Sequence, residues 1–161
     1  MTANQLRIFD AVSSSPQSAQ QVALTLKLSP KGTRRLLNAL ASMDIVTKRD
    51  DTYQIKDPWK PYLTHGGDHS MQQWIQLIMD QVPVWTELPL FVKKGTPLKS
   101  VMDMLGNDPV NMRAFIDAMH DKGLKATWML ARELPLGDVR KMLDVGGGPG
   151  TYALEWAKLH N

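Results

Sequence analysis

Runs of helically spaced apolar residues, one pair of short β-prone segments and a closing strand, glycine turn and helix predict a mainly α fold with a winged-helix hairpin. That fold ends in the first β-α unit of a Rossmann-like domain. Leu6, Ile8, Phe9 and Val12 recur at mostly helical spacing over residues 4–12, and Ser13-Ser14-Ser15-Pro16 stops that helix. Ser18-Ala19-Gln20-Gln21 has the form of a capping box and opens a second helix through Val22, Ala23 and Leu26. Ser29-Pro30 supplies an N-cap and a first-turn proline for a third, whose apolar face is Leu36, Leu37, Leu40 and Met43. Ile45-Val46-Thr47-Lys48 and Thr52-Tyr53-Gln54-Ile55 flank a polar turn and read as a hairpin. Three helices and then a hairpin is winged-helix order, closed by Asp57-Pro58 and spanning residues 1–57.

Residues 58–138 read as a helical connector. Pro58, Pro61, Pro83, Pro89 and Pro97 are expected to break its first part into short helices. Trp74, Ile75, Leu77, Ile78 and Val82 suggest one buried helix, with Trp85 and Leu88 just beyond. Asp108-Pro109 starts a longer helix carrying Met112, Phe115, Ile116 and Met119. Its pattern continues past Gly123 to Leu130, and Pro135-Leu136-Gly137 ends it. Residues 139–161 change character. Met142 to Val145 read as a short buried strand, residues 146–150 as a tight turn, and Thr151 to Leu159 as a helix with Ala153, Trp156 and Ala157 on one face. The strand has no partner within the chain. It is therefore expected to be disordered, paired with a neighbouring molecule, or held by further sequence.

Composition narrows the function. The chain has no cysteine, which excludes disulfides, thiolate nucleophiles and thiolate metal sites. No signal-peptide core or membrane-length apolar run is visible, so the expected location is the cytoplasm. A net charge of +3 permits a nucleic-acid partner without demanding one. His65-Gly66-Gly67-Asp68-His69 offers two imidazoles, but the glycines oppose the helix that i, i+4 ligation needs. A plain loop is expected, with no metal site.

The closing turn carries the chemistry. Glycines let a backbone approach a ligand closely and adopt positive φ. The helix behind offers free N–H groups. A dinucleotide site wants G-x-G-x-x-G, yet the third place here is Thr151. A phosphate loop of the Walker type would need Gly-Lys-Ser/Thr, which is absent. Gly146-x-Gly148-x-Gly150 behind Asp144 suits a ligand without pyrophosphate, such as S-adenosylmethionine.

The run Leu143-Asp144-Val145-Gly146-Gly147-Gly148-Pro149-Gly150-Thr151 is similar to motif I of the S-adenosylmethionine-dependent small-molecule O-methyltransferases of the caffeate and acetylserotonin type, bacterial members included. Phe9-Asp10-Ala11 with residues 36–42 resembles that family's dimerisation region. Trp85, Leu88 and residues 94–97 resemble its connector, and Asp108-Pro109, Phe115 and Ala118-Met119 its helix before motif I. The resemblance implies a homodimer whose winged-helix region, residues 1–57, joins two protomers. It implies a connector, residues 58–138, that shapes the pocket for a small, hydroxylated, aromatic acceptor, with Phe115 and Met119 lining it. It implies the start of the cofactor domain at residues 139–161, with Asp144, Gly146, Gly148 and Gly150 holding S-adenosylmethionine.

The resemblance stops one helix after motif I. The family's ribose-binding acid, its general-base histidine and the carboxylate partners are not in this sequence, so no catalytic residue is expected in it. The chain alone is expected to be an inactive dimerisation module, either a fragment of a longer methyltransferase or a natural truncation of one. Read from residues alone, Phe115 and Met119, four apart on a helix, are more often a core pair than a pocket pair. The alternative from another class is a winged-helix DNA-binding regulator. Lys31, Arg34, Arg35, Lys48 and Arg49 would form its phosphate footprint, and Asp50 and Asp51 at the wing tip oppose it.

Overall fold

The computed structural model describes residues 1–96, 103, 105–106, 108–134 and 138–159, and these form two compact units, residues 1–72 and the residues from 73 on. In the first unit, the stretch expected as one helix is two short ones, α1 (Thr2–Gln5) and α2 (Ile8–Ala11). Arg7 between them is left-handed, with φ 54°, a conformation that no α-helix continues through. α3 (Ala19–Leu26) begins as its sequence directs. The Ser18 hydroxyl accepts from the Gln21 N–H at 3.2 Å, and the Gln21 carboxamide accepts from the Ser18 N–H at 2.8 Å. α4 (Pro30–Ser42) is capped by Ser29 and buries Thr33, Leu37 and Leu40.

The hairpin forms from β2 (Val46–Arg49) and β3 (Thr52–Ile55), antiparallel, with Val46 opposite Ile55 and Arg49 opposite Thr52. A further strand, β1 (Gln17–Ser18), pairs with β3 and gives the order β1-β3-β2. Two residues are too few to show an alternating pattern, which is why the sequence did not announce it. Ile8, Val12, Val22, Leu37, Val46 and Tyr53 are the largest fully buried side chains at the centre of this unit. Each contributes roughly 1.5–3 kcal/mol of transfer free energy. Tyr53 keeps its polar tip satisfied by donating to Asn38 Oδ1 at 2.8 Å. α5 (Lys60–Leu63) follows. Residues 65–69 are a loop, in which His69 stacks on Tyr62 with ring centroids 5.9 Å apart.

The second unit comprises, among the described residues, α6 (Gln72–Thr86), α7 (Leu88–Lys94), α8 (Pro109–Glu133) and α9 (Thr151–Leu159). Pro61 and Pro89 do sit in first turns, of α5 and α7, but Pro83 lies inside α6 and does not end it. One lost i→i−4 bond is not enough to stop a helix of 15 residues. Nor is α6 the buried helix its composition suggests. Trp74, Ile75 and Leu77 are half-buried, while Ile78, Val82 and the following Trp85 and Leu88 are exposed. α8 starts where Asp108 accepts from the Val110 N–H at 2.9 Å and runs unbroken through Gly123. Pro97 and the expected stop at residues 135–137 lie outside the described residues.

The expected strand at Met142 to Val145 is not formed. Residues 139–144 have no regular secondary structure, and Leu143 and Val145 are 86% and 85% exposed. A β-prone run becomes a strand only when another strand takes up its N–H and C=O groups, and no strand among the described residues pairs with this one. The helix half of the expected β-α unit is present as α9. No helix among the described residues is long and apolar enough to cross a membrane.

Candidate functional site

The glycine turn is built on α8. Gly146, Gly148 and Gly150 all have positive φ, at 71°, 55° and 71°. The turn closes through the Gly150 N–H donating to the Gly147 carbonyl at 2.9 Å, and α9 continues with Leu154 N–H donating to Gly150 O at 2.9 Å. A Cβ at Gly146 or Gly148 would meet nothing within 4 Å, so both face open space. At Gly147 a Cβ would stand 2.5 Å from Asp144 Cγ and Oδ2, so the Asp144 carboxylate lies over the turn. The structure thus brings Asp144 and the glycines together, although the strand that was to carry Asp144 is absent.

The turn is fixed in place by the next residue. Thr151 is buried, and its hydroxyl lies 2.8 Å from His120 Nδ1 on α8. Beside it Gly123 leaves room for Thr151. One turn further on, the Thr127 carbonyl accepts from the Trp156 indole N–H at 3.2 Å. Thr127 returns its own hydroxyl to the Gly123 carbonyl at 2.8 Å, so no buried polar group is stranded at this contact. Gly123, Thr127 and Ala131 form a stripe of small side chains at i, i+4 and i+8. That spacing is readable in the sequence and was the missed signal for the α8–α9 contact.

Asp121, adjacent to His120, caps α6 from outside. Its Oδ2 accepts from the Gln73 and Trp74 N–H groups at 2.9 and 3.3 Å. Burial raises its carboxyl above the ordinary carboxylate range, and the two N–H bonds only partly offset this. Lys122 places its ammonium 4.9 Å from the centre of the Trp74 ring. Three consecutive residues of α8 therefore hold α9 and the start of α6.

α6 and α8 also enclose a cavity of about 370 Å³ whose lining includes Leu77, Val84, Trp85 and Phe115 among apolar residues and Gln76 and Asp80 among polar ones. Phe115 is thus in a cavity wall. Met119, half-buried one turn on, is not among the lining residues. The sequence had flagged Trp85 only as a connector residue and had not flagged Gln76 or Asp80. Among the described residues no group of three or more histidine or acidic side chains is placed to hold a metal ion.

The order of parts is a helical module with a small sheet, followed by further helices and a glycine turn ahead of the last one. Residues 1–59 match the family model described as the O-methyltransferase dimerisation domain. Beyond them, the chain resembles the N-terminal portion of the small-molecule O-methyltransferases. It is 26% identical to mouse acetylserotonin O-methyltransferase, over 96% of this chain and 44% of that protein. It is 24% identical to the 3-hydroxy-5-methyl-1-naphthoate 3-O-methyltransferase of Streptomyces sahachiroi, over 95% of this chain and 46% of that one. It shares the fold of the corresponding part of human N-acetylserotonin methyltransferase, solved in complex with S-adenosylmethionine. There the TM-score is 0.83 at 22% identity, covering 99% of this chain and 51% of that one. The chain therefore spans about half the length of the proteins it resembles.

Proposed function

We propose that this chain is the dimerising and acceptor-binding front part of an S-adenosylmethionine-dependent O-methyltransferase acting on a small aromatic hydroxyl compound. The observation that carries this reading is the left-handed glycine turn. Gly146 and Gly148 open onto free space beside the Asp144 carboxylate, as a backbone must if a ligand is to lie against it. These residues fit the methionine end of the cofactor. Asp144 would receive its ammonium, and the α-carbons of Gly146, Gly148 and Gly150 would admit it to the backbone. Bound there, the cofactor supplies an electrophilic methyl group on sulfur. The chain's own part is positional. His120 and Gly123 fix the helix behind the turn, and Phe115 on the same helix α8 lines the cavity that would take the acceptor, with Met119 one turn further on. The winged-helix region, residues 1–57, would join two protomers.

The test is transfer of a labelled methyl group to a panel of phenols by the full-length protein, with cofactor binding read separately by calorimetry. Residues 1–161 alone are expected to sediment as a dimer, with little or no cofactor heat and no transfer. A full-length protein that neither binds S-adenosylmethionine nor transfers its methyl would overturn the reading. The DNA-binding alternative draws no support from the relatives. Two of its five cations are already engaged, Arg34 by Asp51 at 2.8 Å and Lys48 by Asn38 at 3.0 Å.

A further inference from the structure

The cavity between α6 and α8 has a chemical character of its own. Its apolar walls include the indole of Trp85 and the ring of Phe115, which suit a flat ligand. Its polar lining includes Gln73, Gln76, Asp80, Gln81 and Asn111, and among the described residues no lysine, arginine or histidine lines it. In a chain of net charge +3, the described residues that line this cavity carry one negative charge and no positive one.

The internal hydrogen bonds sharpen that character. Gln76 Nε2 donates to Asp80 Oδ1 at 2.9 Å, and Asn111 Nδ2 donates to the Leu105 carbonyl at 3.4 Å. Each amide has thus spent a donor on the protein. Their two oxygens, with Asp80 Oδ2, take no hydrogen bond from any described residue. The cavity still offers a ligand amide N–H groups as well as these acceptors, and the one formal charge on its described lining is the Asp80 carboxylate.

We infer that this cavity selects aromatic acceptors bearing an ammonium or other strong N–H donor, with Asp80 as the residue that recognises it, and rejects acceptors bearing a carboxylate. The selection follows from charge. An ammonium opposite Asp80 forms a charge-assisted bond. A carboxylate would face the like charge of Asp80 with no cation among the described lining residues to offset it. This rests on reading the cavity as part of the acceptor site, and it needs no bound cofactor.

The experiment compares three phenols of one ring size: tyramine, p-cresol and 4-hydroxyphenylacetate. Each is titrated into residues 1–161 and into Asp80→Asn, with binding followed by ligand-observed NMR. Tyramine is expected to bind best and 4-hydroxyphenylacetate worst. Asp80→Asn should weaken tyramine about tenfold, the size of one charge-assisted hydrogen bond, and leave p-cresol unchanged. Asp80 is exposed, so an unchanged thermal midpoint is expected and shows that the variant is folded. Equal binding of the three phenols, tighter binding of the carboxylate, no binding of tyramine at millimolar concentration, or an Asp80→Asn variant with the same order would each overturn the inference. Cofactor heat is measured in a separate titration of the full-length protein. Failure there removes the methyltransferase reading and leaves the ranking of the three phenols intact.

Discussion

Gly123 faces Thr151 across the α8–α9 contact, at a spacing where an added Cβ would lie 3.4 Å from Thr151 Cγ2 and 3.5 Å from Thr151 Cβ. That is ordinary van der Waals contact for one methyl group and leaves no space for a second. A glycine in the middle of a helix is costly by comparison with alanine, by roughly 1 kcal/mol. Gly123→Ala is therefore expected to stabilise the chain by about 0.5–1 kcal/mol. Gly123→Leu should force α9 away from α8 and lower the stability by about 1–3 kcal/mol. Urea unfolding followed by circular dichroism measures both. A destabilised Gly123→Ala would mean that the contact is tighter than described.

Asp121 gives a pH-dependent prediction. Burial raises its carboxyl above the ordinary value of 3.8, so the folded chain holds that proton more tightly than the unfolded chain does. The ionised form consequently costs stability. The contribution is fully favourable below 3.8 and is lost as pH rises through the elevated folded value. Asp121→Asn keeps an acceptor for the Gln73 and Trp74 N–H groups and has no charge to desolvate. It should match the parent chain at low pH and exceed it at pH 7. Asp121→Ala leaves both N–H groups uncapped and should cost about 1 kcal/mol. Unfolding measured at both pH values separates the two variants. Equal loss from Asn and Ala at pH 7 would mean that the charge itself stabilises α6.

Local chemistry was legible in the sequence where one short segment decides the outcome. Ser18 with Gln21, Ser29 with Pro30, and Asp108 with Pro109 all start helices as their side chains dictate. What the sequence concealed depends on partners. Leu143 and Val145 lie in a β-prone run but have no strand among the described residues to pair with, so propensity alone left them exposed coil. Ile78 and Val82 are helically spaced and apolar, yet spacing does not say whether another element will cover them. The glycine turn was visible as a motif. Its fixing to α8 through His120 and Thr151 was not, because those residues lie 31 positions apart and neither is unusual alone.

Tyr53 tests the first unit. It is fully buried, and its hydroxyl donates to Asn38 Oδ1, which also accepts from Lys48 Nζ at 3.0 Å. Tyr53→Phe keeps the ring and leaves Asn38 one donor, so the expected cost is about 1 kcal/mol. Tyr53→Ala empties the space between the hairpin and α4 and should cost about 3–5 kcal/mol. Chemical denaturation reads both. A Phe variant as damaged as the Ala variant would make the hydroxyl, not the ring, the main contribution.

Neighbouring glycines in the turn should respond in opposite ways. At Gly148 the backbone is left-handed, with φ 55°, and a Cβ would meet nothing. Gly148→Ala therefore carries the strain of an L-residue in that region, about 1–2 kcal/mol, without a clash. Gly147 has no such strain, but its Cβ would overlap the Asp144 carboxylate. That carboxylate ends an exposed side chain and can swing aside, so Gly147→Ala should change stability by less than about 0.5 kcal/mol. Asp144 would then no longer lie over the turn. If it receives the cofactor's ammonium, as proposed, Gly147→Ala in the full-length protein should weaken S-adenosylmethionine binding about tenfold or more, the worth of a hydrogen bond to a charged group. Thermal unfolding and calorimetry on the same two variants resolve the contrast. Unchanged affinity in Gly147→Ala would remove Asp144 from the cofactor site, whatever the rest of the turn does.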